Sequence, residues 1–254
     1  MKESLRMLWK LTWVELKLFV REPITMVFTF ALPLIFLFVM GGVFGNTPDP
    51  EGEIYRGVGP MNYYTPAYIG LVIASIAVVG LPVHLTGYRE RGVLRRFRAS
   101  PLPLWTIFGS QVIVSLVVAI VGGIVLTIVA LTAYDASLPK EPGLVIAAFL
   151  VSVISFVAVG ILLGSVLPTT RAAQGLGLIL IIVMMILAGA GPPREVMTTA
   201  MRAVGDATPL RYVIVLIQDP WLGFGWNMTF FGIVLGIMVV ASLLSLRFFR
   251  WESK

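Results

Sequence analysis

Apolar residues along the chain fall into six long blocks that are separated by short polar stretches. The blocks cover residues 24–43, 67–85, 104–133, 144–167, 172–190 and 228–249. A helix needs about 20 apolar residues to cross a hydrocarbon core of about 30 Å. The pattern therefore predicts an all-α polytopic membrane protein with six transmembrane helices, built as a single transmembrane domain over residues 1–254. The third block is the longest, and we expect its ends to project into water.

Composition supports a membrane protein and excludes several kinds of chemistry. Of the 254 residues, 58% are hydrophobic, 13% are charged and none is cysteine. Soluble domains carry about 25% charged residues, so a soluble monomer is excluded. Without cysteine the chain has no disulfide, no thiolate metal site and no cysteine nucleophile. The one histidine, His84, cannot build a metal site by itself, and the sequence gives it no role.

Basic residues are distributed unevenly between the two sets of loops that six spans create. One set contains both termini, the loop after the second block and the link around Arg171, and it holds 14 of the 19 Lys and Arg residues. The positive-inside rule then predicts that both termini are cytoplasmic. These basic residues border the spans, where anionic lipid headgroups account for them. We therefore expect contact with membrane lipid and no nucleic-acid partner.

Residues 1–22 predict a helix that lies on the membrane surface. At about 100° per residue, Lys2, Arg6, Lys10, Lys17 and Arg21 share one arc, and most of the leucines lie opposite. This amphipathic pattern is typical of an interfacial helix. A solvated cytoplasmic tail is the alternative, but such a tail would not need an apolar face.

The loop 87–103 predicts a short amphipathic helix that ends near Pro101, because its arginines are interleaved with Val93, Leu94 and Phe97. A positively charged anchor for membrane topology would explain the arginines alone. The exposed apolar residues favour a helix that docks into the groove of a partner protein.

The segment 191–224, between the fifth and sixth blocks, is too long for a tight turn, yet much of it is apolar. Residues 196–204 and 210–217 predict two helices that are too short to cross the membrane. Irregular backbone at membrane depth is tolerated only when it is buried in protein or lines a cavity. We expect an outer re-entrant element, with an ordinary extracellular loop as the alternative.

The six blocks are almost free of charged residues, and the chain lacks the common hydrolase motifs. It contains no G-x-x-x-x-G-K-[ST], no G-x-S-x-G and no H-E-x-x-H. The chain is therefore expected to be non-catalytic, and any energy for work must come from a partner. The glycine pairs Gly160/Gly164 and Gly232/Gly236 have the spacing of close helix contacts, and we expect packing within one subunit.

Two stretches resemble one family of membrane proteins. Residues 90–103, Glu-Arg-Gly-Val-Leu-Arg-Arg-Phe-Arg-Ala-Ser-Pro-Leu-Pro, are similar to the E-R-G-T-L-x-x-L-x-A-[ST]-P-L-P segment of the type-2 permeases of ABC transporters. Val93 replaces the usual threonine and Phe97 the usual leucine. Residues 208–212 are similar to the family's N-P-L-T-Y, with Thr208 in place of Asn and Arg211 in place of Thr. The chain thus resembles the membrane subunit of a bacterial drug-resistance-type ABC exporter.

The resemblance implies a set of partners. Two copies of a separate ABC ATPase subunit would bind ATP and Mg, this chain would carry no cofactor, and a second permease chain would complete a homodimer or heterodimer in a bacterial or archaeal cell membrane. Residues 1–22 would be the connecting helix, and 87–103 would contain the coupling helix. The residues implied in coupling to the ATPase are Arg89, Glu90, Arg91, Gly92, Leu94, Arg95, Arg96, Phe97, Arg98, Pro101 and Arg171.

The resemblance also implies a substrate path at the interface of two permease chains, mostly between the second and fifth spans. Residues expected along it are Ile73, Ser75, Ile76, Val79, Met184, Met185 and Leu187. This lining is apolar and adaptable, which favours hydrophobic or amphiphilic cargo, and the outer lid would include Thr208, Pro209 and Tyr212.

Three functions are compatible with this sequence. The first is multidrug export, the transport of drug or lipid-like molecules out of the cytoplasm or the inner leaflet. The second is export of a polysaccharide or cell-wall precursor, for which Tyr63, Tyr64, Tyr68 and Trp221 near the outer mouth offer aromatic surfaces. The third, a membrane-embedded lipid enzyme or a passive pore, is disfavoured because the spans offer no acid–base or metal cluster and no polar ring.

Overall fold

A computed structural model describes residues 2–49, 51–99 and 103–248, and its regular secondary structure is helical throughout that part of the chain. In chain order the helices are α1 Lys2–Val20, α2 Pro23–Phe44, α3 Pro60–Glu90, α4 Val93–Arg98, α5 Leu104–Tyr134, α6 Pro142–Val166, α7 Thr170–Leu187, α8 Thr199–Asp206, α9 Pro209–Leu222 and α10 Met228–Phe248. Two single 3-10 turns, Tyr55–Gly57 and Arg194–Val196, lie in the connections.

Six of these helices are long and apolar enough to cross a membrane, namely α2, α3, α5, α6, α7 and α10. The predicted all-α fold with six spans is confirmed. The largest difference in bounds concerns α3, which starts earlier and ends later than the predicted 67–85. Its additional turns carry polar residues such as Asn62 and Arg89, which protein neighbours accommodate and a hydropathy pattern does not detect.

The membrane helices α2 and α3 each contain one π-helical turn, at Val27–Ala31 and Ile76–Gly80. A proline follows each turn closely, Pro33 in α2 and Pro82 in α3. Proline has no N–H to donate, and its ring clashes with the carbonyl four residues earlier. A local π turn absorbs this disturbance without ending the helix. In α3 the carbonyl that loses its α-helical donor is that of Val78.

Two glycines allow neighbouring helices to approach this π turn closely. Gly160 of α6 faces the carbonyl oxygen of Ala77, and Gly177 of α7 faces that of Val78, so a Cβ at either position would lie 2.4 Å from the oxygen. Gly164 likewise packs on α3, and the predicted packing role of the first glycine pair is confirmed. Gly232 and Gly236 have no neighbour within 4 Å of such a Cβ, so the same prediction for the second pair is wrong.

α3 is the central helix of the bundle, and nearly all of it is buried among α2, α5, α6, α7 and α9. We call the end that carries α1, α4 and the α6–α7 link the inner end, and the opposite end the outer end. At the outer end α9 is buried against α3 and α6, whereas Val204 of α8 and Val196 of the preceding 3-10 turn are exposed. Tyr64 of α3 donates to the carbonyl of Gly191 at 2.8 Å, which ties the segment before α8 to the core.

Candidate functional site

The segment 87–103 continues the last turn of α3 into α4 with one sharp change of direction. Gly92 adopts a φ of 68°, in the left-handed region that a residue without a Cβ enters at little cost. Leu94 is buried at 1% exposure, while Arg91, Arg95 and Arg96 are exposed. The arginines therefore face outward and the leucine anchors α4. Pro101 lies outside the described residues, as do the side chains of Phe97 and Arg98.

Arg89, the penultimate residue of α3, is buried and binds the C-terminal end of α6. Its Nη1 donates to the carbonyl oxygens of Gly164 at 3.1 Å and Ser165 at 3.5 Å. Its Nη2 donates to the carbonyl oxygens of Leu167 and Pro168. The last carbonyls of a helix lack intrahelical partners and carry partial negative charge, so a guanidinium satisfies them and matches the helix dipole.

Glu90, the next residue, binds the N-terminal end of α7. Its carboxylate accepts from the backbone N–H of Thr170 at 3.0 Å and from the Thr170 hydroxyl at 2.6 Å. Thr169 caps the same helix through a bond from the N–H of Ala172 to its hydroxyl at 3.2 Å. A carboxylate at a helix N-terminus is favoured by both the free N–H groups and the dipole.

Arg89 and Glu90 together hold both ends of the α6–α7 link, and we call this pair the inner clamp. Arg171, directly after the clamped Thr170, is exposed. The four exposed side chains Arg91, Arg95, Arg96 and Arg171 form what we call the inner arginine face. The sequence predicted that the two clamp residues and the four arginines belong to one functional surface. It did not predict the contacts of Arg89 and Glu90 with α6 and α7, because a hydropathy pattern does not show which helix ends lie beside a polar side chain.

A second polar cluster at the inner end was missed by sequence analysis. Glu15 of α1 is buried at 1% exposure and forms an ion-pair contact with His84 of α3. The hydroxyl of Tyr88 donates to the other carboxylate oxygen of Glu15 at 3.0 Å, and the His84 and Tyr88 rings lie 4.4 Å apart. His84 and Tyr88 are four residues apart, so they share one face of α3. That spacing, and a glutamate among the apolar residues in the second half of α1, were the available signals.

The residues expected along the substrate path lie mostly inside the chain. Ile73, Ser75, Ile76 and Val79 of α3 are buried, as are Met184 and Met185 of α7, whereas Leu187 is half-buried. In this conformation such residues cannot line an interface with a second chain without rearrangement. On α7 the exposed large apolar side chains are Leu176, Ile179, Ile182, Val183 and Ile186. The path therefore stays a prediction, and these exposed positions are the better candidates.

The predicted outer-lid residues lie together at the junction of α8 and α9. Thr208 precedes Pro209, the first residue of α9, and its hydroxyl donates to the carbonyl of Gly205 at 2.6 Å. Tyr212 donates to the carbonyl of Asp206 and packs edge-on against Phe230 of α10. Their role as a lid stays a prediction.

No three His, Asp or Glu side chains within residues 2–49, 51–99 and 103–248 are placed to share a metal ion.

The sequence profile of the ABC-2 type transporter family matches residues 6–220, which extend from α1 into α9. The chain belongs to the ABC-2 type transporter family. This ABC-2 protein is thus the multi-pass permease of an ABC transporter, and the family implies association with an ABC ATPase. ABC-2 permeases are generally non-catalytic membrane subunits. A search of curated proteins finds no match to the chain.

Proposed function

We propose that this ABC-2 permease is the membrane subunit of an ATP-driven exporter for hydrophobic or amphiphilic small molecules. Two permease chains, identical or different, and two ATPase chains would form the transporter, with ATP and Mg bound by the ATPase. The inner end would face the cytoplasm of a bacterial or archaeal cell. Cargo would leave the cytoplasm or the inner leaflet.

The observation that carries this proposal is the attachment of the inner arginine face to the inner clamp. α4 exposes arginines, and the residues directly before it bind α6 and α7. A force applied to α4 would therefore be passed to three membrane helices through direct hydrogen bonds. This connection supports a role in which movement of an ATPase subunit rearranges the bundle.

The chemistry of the inner arginine face suits a groove on a protein partner. Arginine presents a planar fork of donors to carboxylates and backbone carbonyls, and it is only weakly hydrated, so it favours interfaces. Lipid headgroups would also bind these charges, but they would not require the ordered α4 and its buried Leu94. The outward arginines therefore support docking over a purely topological anchor.

Two observations bear on cargo. The spans expose apolar side chains such as Ile179 and Val183 of α7, which suits hydrophobic molecules. Tyr63, Tyr64, Tyr68 and Trp221, which a sugar path could use, are buried, and the Tyr64 and Tyr68 rings stack 5.4 Å apart in the core. In this conformation they offer no open platform to a sugar, so drug or lipid-like cargo is favoured over polysaccharide.

Replacing Arg91 and Arg95 by alanine should abolish most ATP-dependent transport and weaken association with the ATPase. Two exposed charge-assisted contacts would be lost at the proposed interface, which predicts at least about a tenfold lower affinity. The measurement uses proteoliposomes that contain the permease and its partner ABC ATPase, with ethidium, a fluorescent phospholipid and a polyprenyl-linked sugar as cargo. Co-purification reports association separately.

Lys140→Ala at the outer end is the matched control, because Lys140 is exposed and far from α4. It should leave both transport and association unchanged. Normal association and cargo-stimulated ATP hydrolysis in the double variant would contradict the proposed coupling. ATP-dependent movement of the polyprenyl-linked sugar alone would contradict the proposed cargo.

A further inference from the structure

The outer end contains a polar cavity that the transport proposal does not use. Its volume is about 260 Å³, and it lies between the loop before α3, the turn Arg194–Val196, α9 and the start of α10. Its charged lining consists of Arg56, Arg194, Arg211, Glu195 and Asp219. A water molecule occupies about 30 Å³ in the liquid, so the cavity is large enough for a phosphate or carboxylate group.

On one side of the cavity, the charged groups are paired with one another. Arg56 Nη1 lies 2.7 Å from Asp219 Oδ1 and 3.0 Å from Gln218 Oε1. The other carboxylate oxygen of Asp219 accepts from Asn227 at 3.0 Å, and the Arg56 guanidinium lies 4.6 Å from the centre of the Phe224 ring. The charge of Arg56 is therefore already compensated.

On the opposite side, positive charges outnumber their acidic partners. Arg194 and Arg211 share one carboxylate, that of Asp206, at 2.7 Å and 3.8 Å. Arg194 Nη1 and Arg211 Nε are buried, and neither has a hydrogen-bond partner among the described residues. Burial lowers the pKa of the Arg211 guanidinium, and the nearby charge of Arg194 acts in the same direction. Buried charged donors without acceptors are costly, so this arrangement favours an added anion.

The acidic residues do not cancel this charge. Glu195 also lines the cavity, and its Oε2 is buried without a hydrogen-bond partner in the described part of the chain. Arg202, just outside the lining, donates to the backbone carbonyls of Arg194 at 3.1 Å and Glu195 at 2.7 Å. The outer cluster thus holds four arginines against the three carboxylates of Glu195, Asp206 and Asp219, which leaves one positive charge in excess.

We propose that this outer cavity binds a phosphate- or carboxylate-bearing anion, with Arg194 Nη1 and Arg211 Nε as its donors. Arginine is the side chain best suited to planar, bidentate recognition of such groups. The exposed Phe224 and the Phe230 ring beside Arg211 provide an apolar border, on which an attached acyl chain could lie. The anion would be the headgroup of a membrane lipid or a small soluble anion. This site does not depend on the proposed transport function.

Binding is tested on the full-length chain in an uncharged detergent, by native mass spectrometry and by titration. The probes are phosphatidylglycerol, inorganic phosphate and laurate, with diacylglycerol as the neutral lipid control. Arg194→Gln and Arg211→Gln should each weaken anion binding about tenfold, as expected for loss of one charge-assisted contact. Glu195→Gln removes a repelling charge and should strengthen binding, a result that misfolding cannot produce.

Lys140→Gln is the matched control, because Lys140 is an exposed basic residue at the outer end that does not line the cavity, and it should bind every probe as the natural chain does. Binding of phosphatidylglycerol without inorganic phosphate supports a lipid source, and the reverse supports a soluble anion. The proposal is overturned if no anionic probe binds better than diacylglycerol. It is also overturned if Lys140→Gln weakens binding as much as Arg211→Gln, because the charge of the whole outer surface would then account for the effect.

Discussion

Arg89 shows how one side chain can fix the relative positions of two helices. A guanidinium carries five N–H donors, and Arg89 directs two of its nitrogens at four carbonyl oxygens around the C-terminus of α6. The site is buried, so water cannot easily replace these bonds. The side chain therefore stabilises both the C-terminal end of α6 and the backbone conformation of the link between α6 and α7.

Replacing Arg89 by glutamine should lower the free energy of unfolding by about 2–4 kcal/mol, because buried carbonyls lose their donors. Thermal unfolding of the purified chain in detergent measures this effect. Arg91→Gln is the matched control, since Arg91 is exposed, directly follows α3, and donates from its Nε to the carbonyl of Gly87 in the last turn of α3. It should change stability little. Equal losses in the two variants would refute a structural role specific to Arg89.

The extent to which sequence predicts each element depends on what surrounds it. Membrane spans could be predicted because the bilayer imposes a length and a polarity on them. The ends of α3 could not, because protein covers them and tolerates Asn62 and Arg89. The inner clamp and the Glu15–His84 contact also escaped prediction, since they join residues 69 or more positions apart. Contacts between such distant residues depend on how the helices pack against each other. The periodicity within one helix does not reveal this packing.

Among the elements, the π turn of α3 is packed closely against two other membrane helices, α6 and α7. Gly160→Ala or Gly177→Ala would place a methyl group about 2.4 Å from a carbonyl oxygen. Each should destabilise the chain by about 1–3 kcal/mol, as overpacking does, measured by thermal unfolding. Gly175→Ala on α7 has open space around it and should be neutral or slightly stabilising. Unchanged stability of both the Gly160→Ala and the Gly177→Ala variants would show that α6 and α7 do not pack directly against the π turn.

At the scale of the whole molecule, α3 connects the two ends. Its last two turns bind α1 through His84 and Tyr88, and α6 and α7 through Arg89 and Glu90. Its first turn accepts, at the carbonyl of Tyr63, a bond of 2.9 Å from Gln218 of α9. This arrangement predicts that a movement of the inner end would be passed along one buried helix to the outer segment, with α1 taking part in it.

Glu15→Ala should reduce ATP-dependent transport and leave binding of the ATPase intact, because it detaches α1 from α3 without touching the inner arginine face. His84 and Tyr88 would lose their shared carboxylate, and the combined Glu15→Ala, His84→Ala variant should be less impaired than the sum of the two single changes. Transport in proteoliposomes and co-purification with the ATPase measure the two effects.

Lys17→Ala, an exposed change on the same helix, should affect neither transport nor ATPase binding. Loss of ATPase binding in Glu15→Ala would show instead that α1 positions the docking surface itself, and unchanged transport would exclude α1 from the coupling path.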